Sequence, residues 1–82
     1  MIETKQLAYF IKAAECRSFS ETAKKLYTTQ SNVSKVIASL EEQLGRPLFI
    51  RTSSGIRLSV FGTEFYEQAV PITAAIENLY HI

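Results

Sequence analysis

Six residues in one short run carry the polar chemistry of this chain: Thr29, Gln30, Ser31, Asn32, Ser34 and Lys35. Carboxamides such as Gln30 and Asn32 can pair bidentately with an adenine edge, and a serine hydroxyl can serve a base or a phosphate. Lys35 adds a charge suited to phosphate or guanine. Ser31, Ser34, Lys35 and Ala38 stand at i, i+3, i+4 and i+7, so a helix places them on one face. The opposite face carries Val33, Val36, Ile37, Leu40 and Leu44. A helix beginning with small and polar side chains, and offering free N–H groups to an anion, is suited to a DNA groove. The same residues also make a capped, solvated helix start, and composition does not choose between the two.

A second group is Arg51, Thr52, Ser53 and Arg57, in and around the run Leu48–Thr52, Ser53–Gly55, Ile56–Leu58. The flanking stretches are short and rich in β-branched or aromatic residues, which predicts a β-hairpin with glycine at its tip. Arginine on such a hairpin can lie along phosphates or enter a minor groove. It can equally be the charge that keeps an edge strand from pairing with another sheet.

Catalytic chemistry finds no support. The 82 residues include one cysteine (Cys16), one histidine (His81) and no aspartate. A Ser-His-Asp triad is therefore excluded, and a zinc-ligand cluster has too few ligands. Gly45, Gly55 and Gly62 are too scattered for a phosphate loop. No enzyme, no metal and no cofactor are expected.

The elements that must position the polar groups follow from periodicity. Leu7, Phe10, Ile11 and Ala14 predict a first helix over roughly Thr4 to Cys16. Ser18 or Ser20 can cap a second helix, with Glu21 at capping-box distance from Ser18. That helix is expected to run to about Tyr27 and to turn Ala23 and Leu26 inward. Thr29 is the natural cap of the third helix. Gly45 suits its left-handed end, and Pro47 prevents continuation.

From Ser59 a last helical pattern runs to the end. Phe65, Ala69, Ile72, Ile76 and Leu79 recur at 4, 3, 4 and 3, the spacing of a coiled-coil seam. Such a helix spans ~30 Å, more than a body this small can cover, so the seam predicts a homodimer interface. Pro71 lies within it and favours a kink over a break, because the seam continues beyond it in register. The fold class is mainly α: a winged helix-turn-helix of three helices, a two-stranded wing and a long C-terminal helix. Residues 1–58 form the expected binding domain and 59–82 the linker and dimerisation helix.

Net charge is only +1, but it is unevenly spread. All nine lysines and arginines precede Leu58, against five glutamates there; Leu58 to Ile82 has three glutamates and no cation. The front of the chain is the part suited to phosphate. No apolar run approaches the roughly 20 residues of a membrane span, and Glu3 and Lys5 occupy the start where a signal peptide is apolar. No membrane partner is expected, and the cytoplasm is the expected location. A protein-interaction module is the competing class, distinguished by salt-insensitive association.

Taken in order, the residues resemble the N-terminal domain of a LysR-type transcriptional regulator. The likeness rests on Leu7-Ala8-Tyr9-Phe10, Ser18-Phe19-Ser20 with Ala23 and Leu26, and Gln30, Val33, Ser34 and Ile37. It continues through Leu40-Glu41-Glu42-Gln43-Leu44-Gly45, Leu48-Phe49, Arg51-Thr52, Leu58-Ser59 and Gly62. The resemblance implies a homodimer joined by the terminal helices, each third helix lying in a major groove of double-stranded DNA at an interrupted inverted repeat. It implies groove or phosphate contacts from Gln30, Ser31, Asn32, Ser34 and Lys35. Backbone or minor-groove contacts would come from Arg51, Thr52 and Ser53, and a phosphate contact from Ser20.

The chain departs from the family pattern at Ser31, where proline is usual, at Lys35, where arginine is common, and at Pro71 in the dimer helix. The family also carries a C-terminal effector-binding domain, through which dimers pair into tetramers and small molecules act. That domain is absent from this sequence, so the chain is expected to be a piece of a longer protein.

Overall fold

The computed structural model describes residues 1–82 in the order helix, helix, helix, hairpin, helix: α1 (Thr4–Cys16), α2 (Phe19–Lys25), α3 (Gln30–Leu44), β1 (Phe49–Thr52), β2 (Gly55–Leu58) and α4 (Val60–Leu79). α1 buries Leu7, Phe10 and Ala13, while Ile11 and Ala14, expected on the inner face, lie half-buried on its flank. The inner stripe is thus rotated toward Gln6, which is itself buried. Its side chain is fully engaged: Oε1 accepts from the Glu3 N–H at 2.8 Å, and Nε2 donates to Gln43 Oε1 at 2.8 Å. A buried amide is tolerable only with such partners, and these tie α1 to α3.

Ser18, not Ser20, caps α2, its hydroxyl accepting from Glu21 N–H at 3.2 Å. α2 stops at Lys25, short of the expected Tyr27, because Leu26 and Tyr27 already form the turn, with Tyr27 left-handed at φ 55°. Ala23 is buried as expected and Leu26 only half so. α3 buries Val33, Ile37 and Leu40, whereas Val36 and Leu44 are half-buried at the edge of the stripe. Gly45 ends α3 in the left-handed conformation, φ 73°.

The hairpin pairs Phe49 with Leu58, Ile50 with Arg57, Arg51 with Ile56 and Thr52 with Gly55. Ser53 and Ser54 therefore form the tip, and Gly55 is the first residue of β2 rather than part of the turn. The glycine is needed there for a different reason: at φ 139° a Cβ would run into the backbone carbonyl of Arg17. The neighbouring Ile56 N–H donates to that same carbonyl at 3.1 Å, docking the wing onto the end of α1. At the other end of the hairpin, Glu41 Oε2 accepts from the N–H groups of Leu48 and Phe49, at 2.6 and 3.3 Å. The wing is fastened at both ends to helices.

Phe10 is the centre of the core. It is fully buried, with the rings of Phe49, Phe65 and Tyr66 at centroid distances of 5.4, 5.2 and 6.2 Å. Three elements, α1, β1 and α4, therefore meet at one side chain. α4 begins at the Ser59 cap, packs Gly62, Phe65 and Ala69 on this core, and continues unbroken through Pro71. No helix is long and apolar enough to cross a membrane.

Candidate nucleic-acid interface

Thr29 fixes the start of α3: its hydroxyl accepts from Asn32 N–H at 3.1 Å, satisfying one of the free donors of the first turn. Helical geometry then sets the next side chains. Gln30, Ser31, Lys35 and Ala38 are exposed and Ser34 is half-buried; Ser31, Ser34, Lys35 and Ala38 lie on the side of α3 away from Val33, Ile37 and Leu40, and Gln30 stands at the open end of the first turn. This is the polar face that the spacing predicts.

Asn32 departs from that set. Its Nδ2 donates to Tyr9 Oη at 3.2 Å and to Thr28 Oγ1 at 3.0 Å, so the amide is turned into the domain. It braces the start of α3 against α1 and the preceding turn. The expectation that Asn32 reads a base edge does not fit this arrangement, because both amide hydrogens are already used.

The antiparallel register divides the two wing arginines. Arg51 stands opposite Ile56, whose side chain is buried, while Arg57 stands opposite the exposed Ile50. Cross-strand partners share a face, so Arg51 is on the inner face of the wing and Arg57 on the outer one. Arg51 lies with its guanidinium 5.2 Å from the centre of the Phe19 ring, bordering a small depression with Ser34 and Ala38 of α3. Arg51 and the polar face of α3 therefore meet, and Arg57 is held apart from them.

Thr52 Oγ1 donates to the Gly55 carbonyl at 3.2 Å across the tip, and Ser53 is exposed on the tip itself. Ser20 lies in the first turn of α2, exposed, its hydroxyl 3.1 Å from that of Ser18. It is next to the cap and is not the cap.

Electrostatically, only Lys12 and Lys24 form ion pairs, with Glu15 and Glu21. The other seven cations have no carboxylate partner within 4 Å. Exposed pairs of this kind contribute ~1 kcal/mol or less, so even the two paired lysines are held loosely.

Some positioning residues were not singled out by their sequence pattern. Tyr9 had no distinguishing mark among apolar neighbours, yet it anchors Asn32. Glu41 belonged to a charged run and reads as surface, yet it carries the wing. Phe19 lay between two serines in what looked like a break, and is 8% exposed beneath Arg51.

The expected seam of α4 divides in two. Ala69 is 2% exposed and the half-buried Phe65 packs on Phe10, so both serve the chain's own core while also lining the groove that Ile72 and Ile76 border. Ile72 and Leu79 are 50% and 63% exposed, and Ile76 is half-buried. Ile72 and Ile76 border an apolar groove with Met1, Ile2 and Leu7.

Residues 4–63 match the family model described as bacterial regulatory helix-turn-helix protein, lysR family. The chain is 41% identical over 73 residues to the HTH-type transcriptional regulator BudR of Klebsiella aerogenes, covering 89% of this chain and 51% of that protein. It is 35% identical over 78 residues to the probable cat1 operon transcriptional activator of Acinetobacter lwoffii, covering 95% of this chain and 26% of the relative. The chain thus spans about half the length of the first regulator and about a quarter of the second. Among solved structures, the BenM DBD in complex with catB site 1 DNA superposes with a TM-score of 0.92 at 31% identity, covering 98% of this chain and 86% of the other.

Proposed function

This chain belongs to the lysR family of bacterial regulatory helix-turn-helix proteins, and from that premise we propose that it binds double-stranded DNA sequence-specifically as a homodimer. The observation that carries the reading is the polar, exposed start of α3, with Arg51 of the wing beside it, in a chain that superposes over nearly its whole length on a DNA-bound relative.

α3 enters the major groove by its N-terminal turn. Gln30 and Ser31 reach base edges, and Thr29, Ser34 and Lys35 set the register on phosphate and groove wall. Arg51 contacts the backbone next to α3, with Ser53 at the tip and Thr52 behind it. Arg57, on the outer face of the wing, reaches a different phosphate or the minor groove. Ser20 and the first turn of α2 approach the backbone. Asn32 contributes by holding α3 in place.

Residues 1–58 are the DNA-binding unit. Residues 59–82 form the dimerising helix, whose first half also closes the core. The dimer forms through Ile72, Ile76 and Leu79, and the DNA site is an interrupted inverted repeat. Effector response belongs to a further domain of the kind the longer relatives have room for. The role is regulatory and cytoplasmic, not enzymatic.

Two substitutions in α3 separate positioning from reading. Lys35→Ala is expected to weaken binding to all duplexes alike and to flatten its salt dependence. Gln30→Ala is expected to remove about 1–3 kcal/mol of preference at one base pair while leaving non-specific affinity in place. Titrations against the preferred duplex and a scrambled one distinguish them. If neither variant differs from the wild type, α3 is not in the groove.

The dimer has its own test. Ile72→Glu places a charge on the exposed part of the seam, where it does not disturb the core. Sedimentation is expected to show monomers, and an unchanged dimer would place the interface elsewhere.

A further inference from the structure

α3 has two flanks. The wing borders one of them, and α1 borders the other. On the α1 side, Lys5 and Lys35 line a single shallow depression together with Glu3 and Ser39. The depression is held in shape by Gln6, 5% exposed, whose amide bonds reach Gln43 and the Glu3 backbone.

Lys5 is not free to swing at random. Its Nζ stands 5.7 Å from the centre of the Tyr9 ring, one turn further along α1. A cation over an aromatic face gains about 0.5–1 kcal/mol at an exposed site. Tyr9 is in turn pinned by Asn32 at the first turn of α3. The Lys5 ammonium is thereby referenced to the start of the recognition helix. Neither Lys5 nor Lys35 has a carboxylate partner, whereas Lys12, the other lysine of α1, lies two turns further along the same helix and is paired with Glu15.

We infer that Lys5 and Lys35 together hold one DNA phosphate in this depression, on the side of α3 away from the wing. The inference rests on the placement of α3 in the groove proposed above. It gives Lys35 the task of positioning and not of reading guanine, which suits a point charge better than a planar fork would. It also gives the domain a backbone contact on each side of the recognition helix: the wing at one flank and the first turn of α1 at the other. Glu3 stands on the rim, so the phosphate meets two ammonium groups against one carboxylate. Attraction wins, and removing Glu3's charge should strengthen it.

The test is the dependence of affinity on salt for the full chain and a mixed-sequence DNA duplex. Each phosphate neutralised contributes about 0.9 to the slope of log affinity against log salt. Lys5→Gln and Lys35→Gln are each expected to lower affinity. The double variant should lose about 0.9 of slope, one phosphate's worth, because both lysines serve the same group. Lys12→Gln, an equal change of charge two turns (~10 Å) further along α1 and already paired with Glu15, should leave slope and affinity unchanged, Lys5→Arg should retain both, and Glu3→Gln should raise affinity. Thermal melts of every variant confirm that the fold is intact.

A Lys5→Gln variant that binds like the wild type overturns the inference. So does a double variant losing twice that slope, which means two separate phosphates, or a Lys12→Gln variant as weak as Lys5→Gln, which means a diffuse effect of charge. A folded wild type without DNA affinity overturns the placement of α3 as well. A failure confined to Lys5→Gln, with Lys35→Gln still weakened, overturns the inference and leaves that placement standing.

Discussion

Phe10→Ala is expected to destabilise the domain by about 3–5 kcal/mol, the range for truncating a large buried aromatic side chain. Phe10 has no exposed surface, and its ring touches Phe49 of the wing and Phe65 and Tyr66 of α4 from its place in α1. Two further elements reach α1 at this ring from different directions, so the cavity left by alanine cannot be closed by moving one of them. The aromatic pairs add about 0.5–1.5 kcal/mol each beyond the area they bury. A small domain has only about 5–15 kcal/mol of stability to lose. At ~4–8 °C per kcal/mol, the melting temperature should fall by at least about 12 °C. A urea or thermal melt followed by circular dichroism measures it. A loss below about 1 kcal/mol would show that Phe10 is not the shared centre of the core.

Gly62→Ala is expected to cost about 3 kcal/mol or more, at the upper end of overpacking effects. A Cβ at this position would collide with the carbonyl of Leu48, a fully buried residue. That carbonyl also accepts from Ser59 N–H at 2.9 Å, and the Ser59 hydroxyl donates to the Pro47 carbonyl at 2.8 Å. The obstructing atom is backbone held by its own hydrogen bonds, so it cannot rotate aside. α4 would have to lift from the segment leading into the wing. Gly45→Ala is the internal comparison. Gly45 has φ 73° but open space around its Cα, so alanine there incurs only the left-handed penalty of about 1–2 kcal/mol. Equal losses at the two glycines would mean that the contact with Leu48 is not what requires glycine at 62.

Where a residue's role is local, the sequence predicted it. Thr29 as the cap of α3, Gly45 at its end, the boundaries of α1 and the polar face of Ser31, Ser34, Lys35 and Ala38 all follow from side chains acting on their own turn. Where a role depends on a partner distant in sequence, periodicity was blind to it. Asn32 looks like a base reader until Tyr9, 23 residues earlier, is seen to take its amide. Gly55 looks like the tip of a turn until the Arg17 carbonyl is found beneath it.

The seam of α4 shows the same limit in another form. Heptad spacing marked Phe65 and Ala69 as equivalent to Ile72 and Leu79. The first pair packs against the domain's own core, Ala69 buried and Phe65 half-buried, and the second is more exposed. Spacing identifies which side of a helix is apolar, and the length of the body that it packs against decides how much of that side is left for a partner. The opposite orientations of Arg51 and Arg57 likewise required the hairpin register, which depends on a turn of Ser53 and Ser54 and not on one containing Gly55.

Selection of bound duplexes from a randomised DNA library, at near-physiological salt, tests most directly the claim that this domain reads DNA sequence as a symmetric dimer. The predicted result is enrichment of an interrupted inverted repeat, whose two half-sites weaken together when Gln30 is replaced by alanine. A folded chain that enriches no sequence, or only a single half-site without a symmetric partner, would contradict that claim.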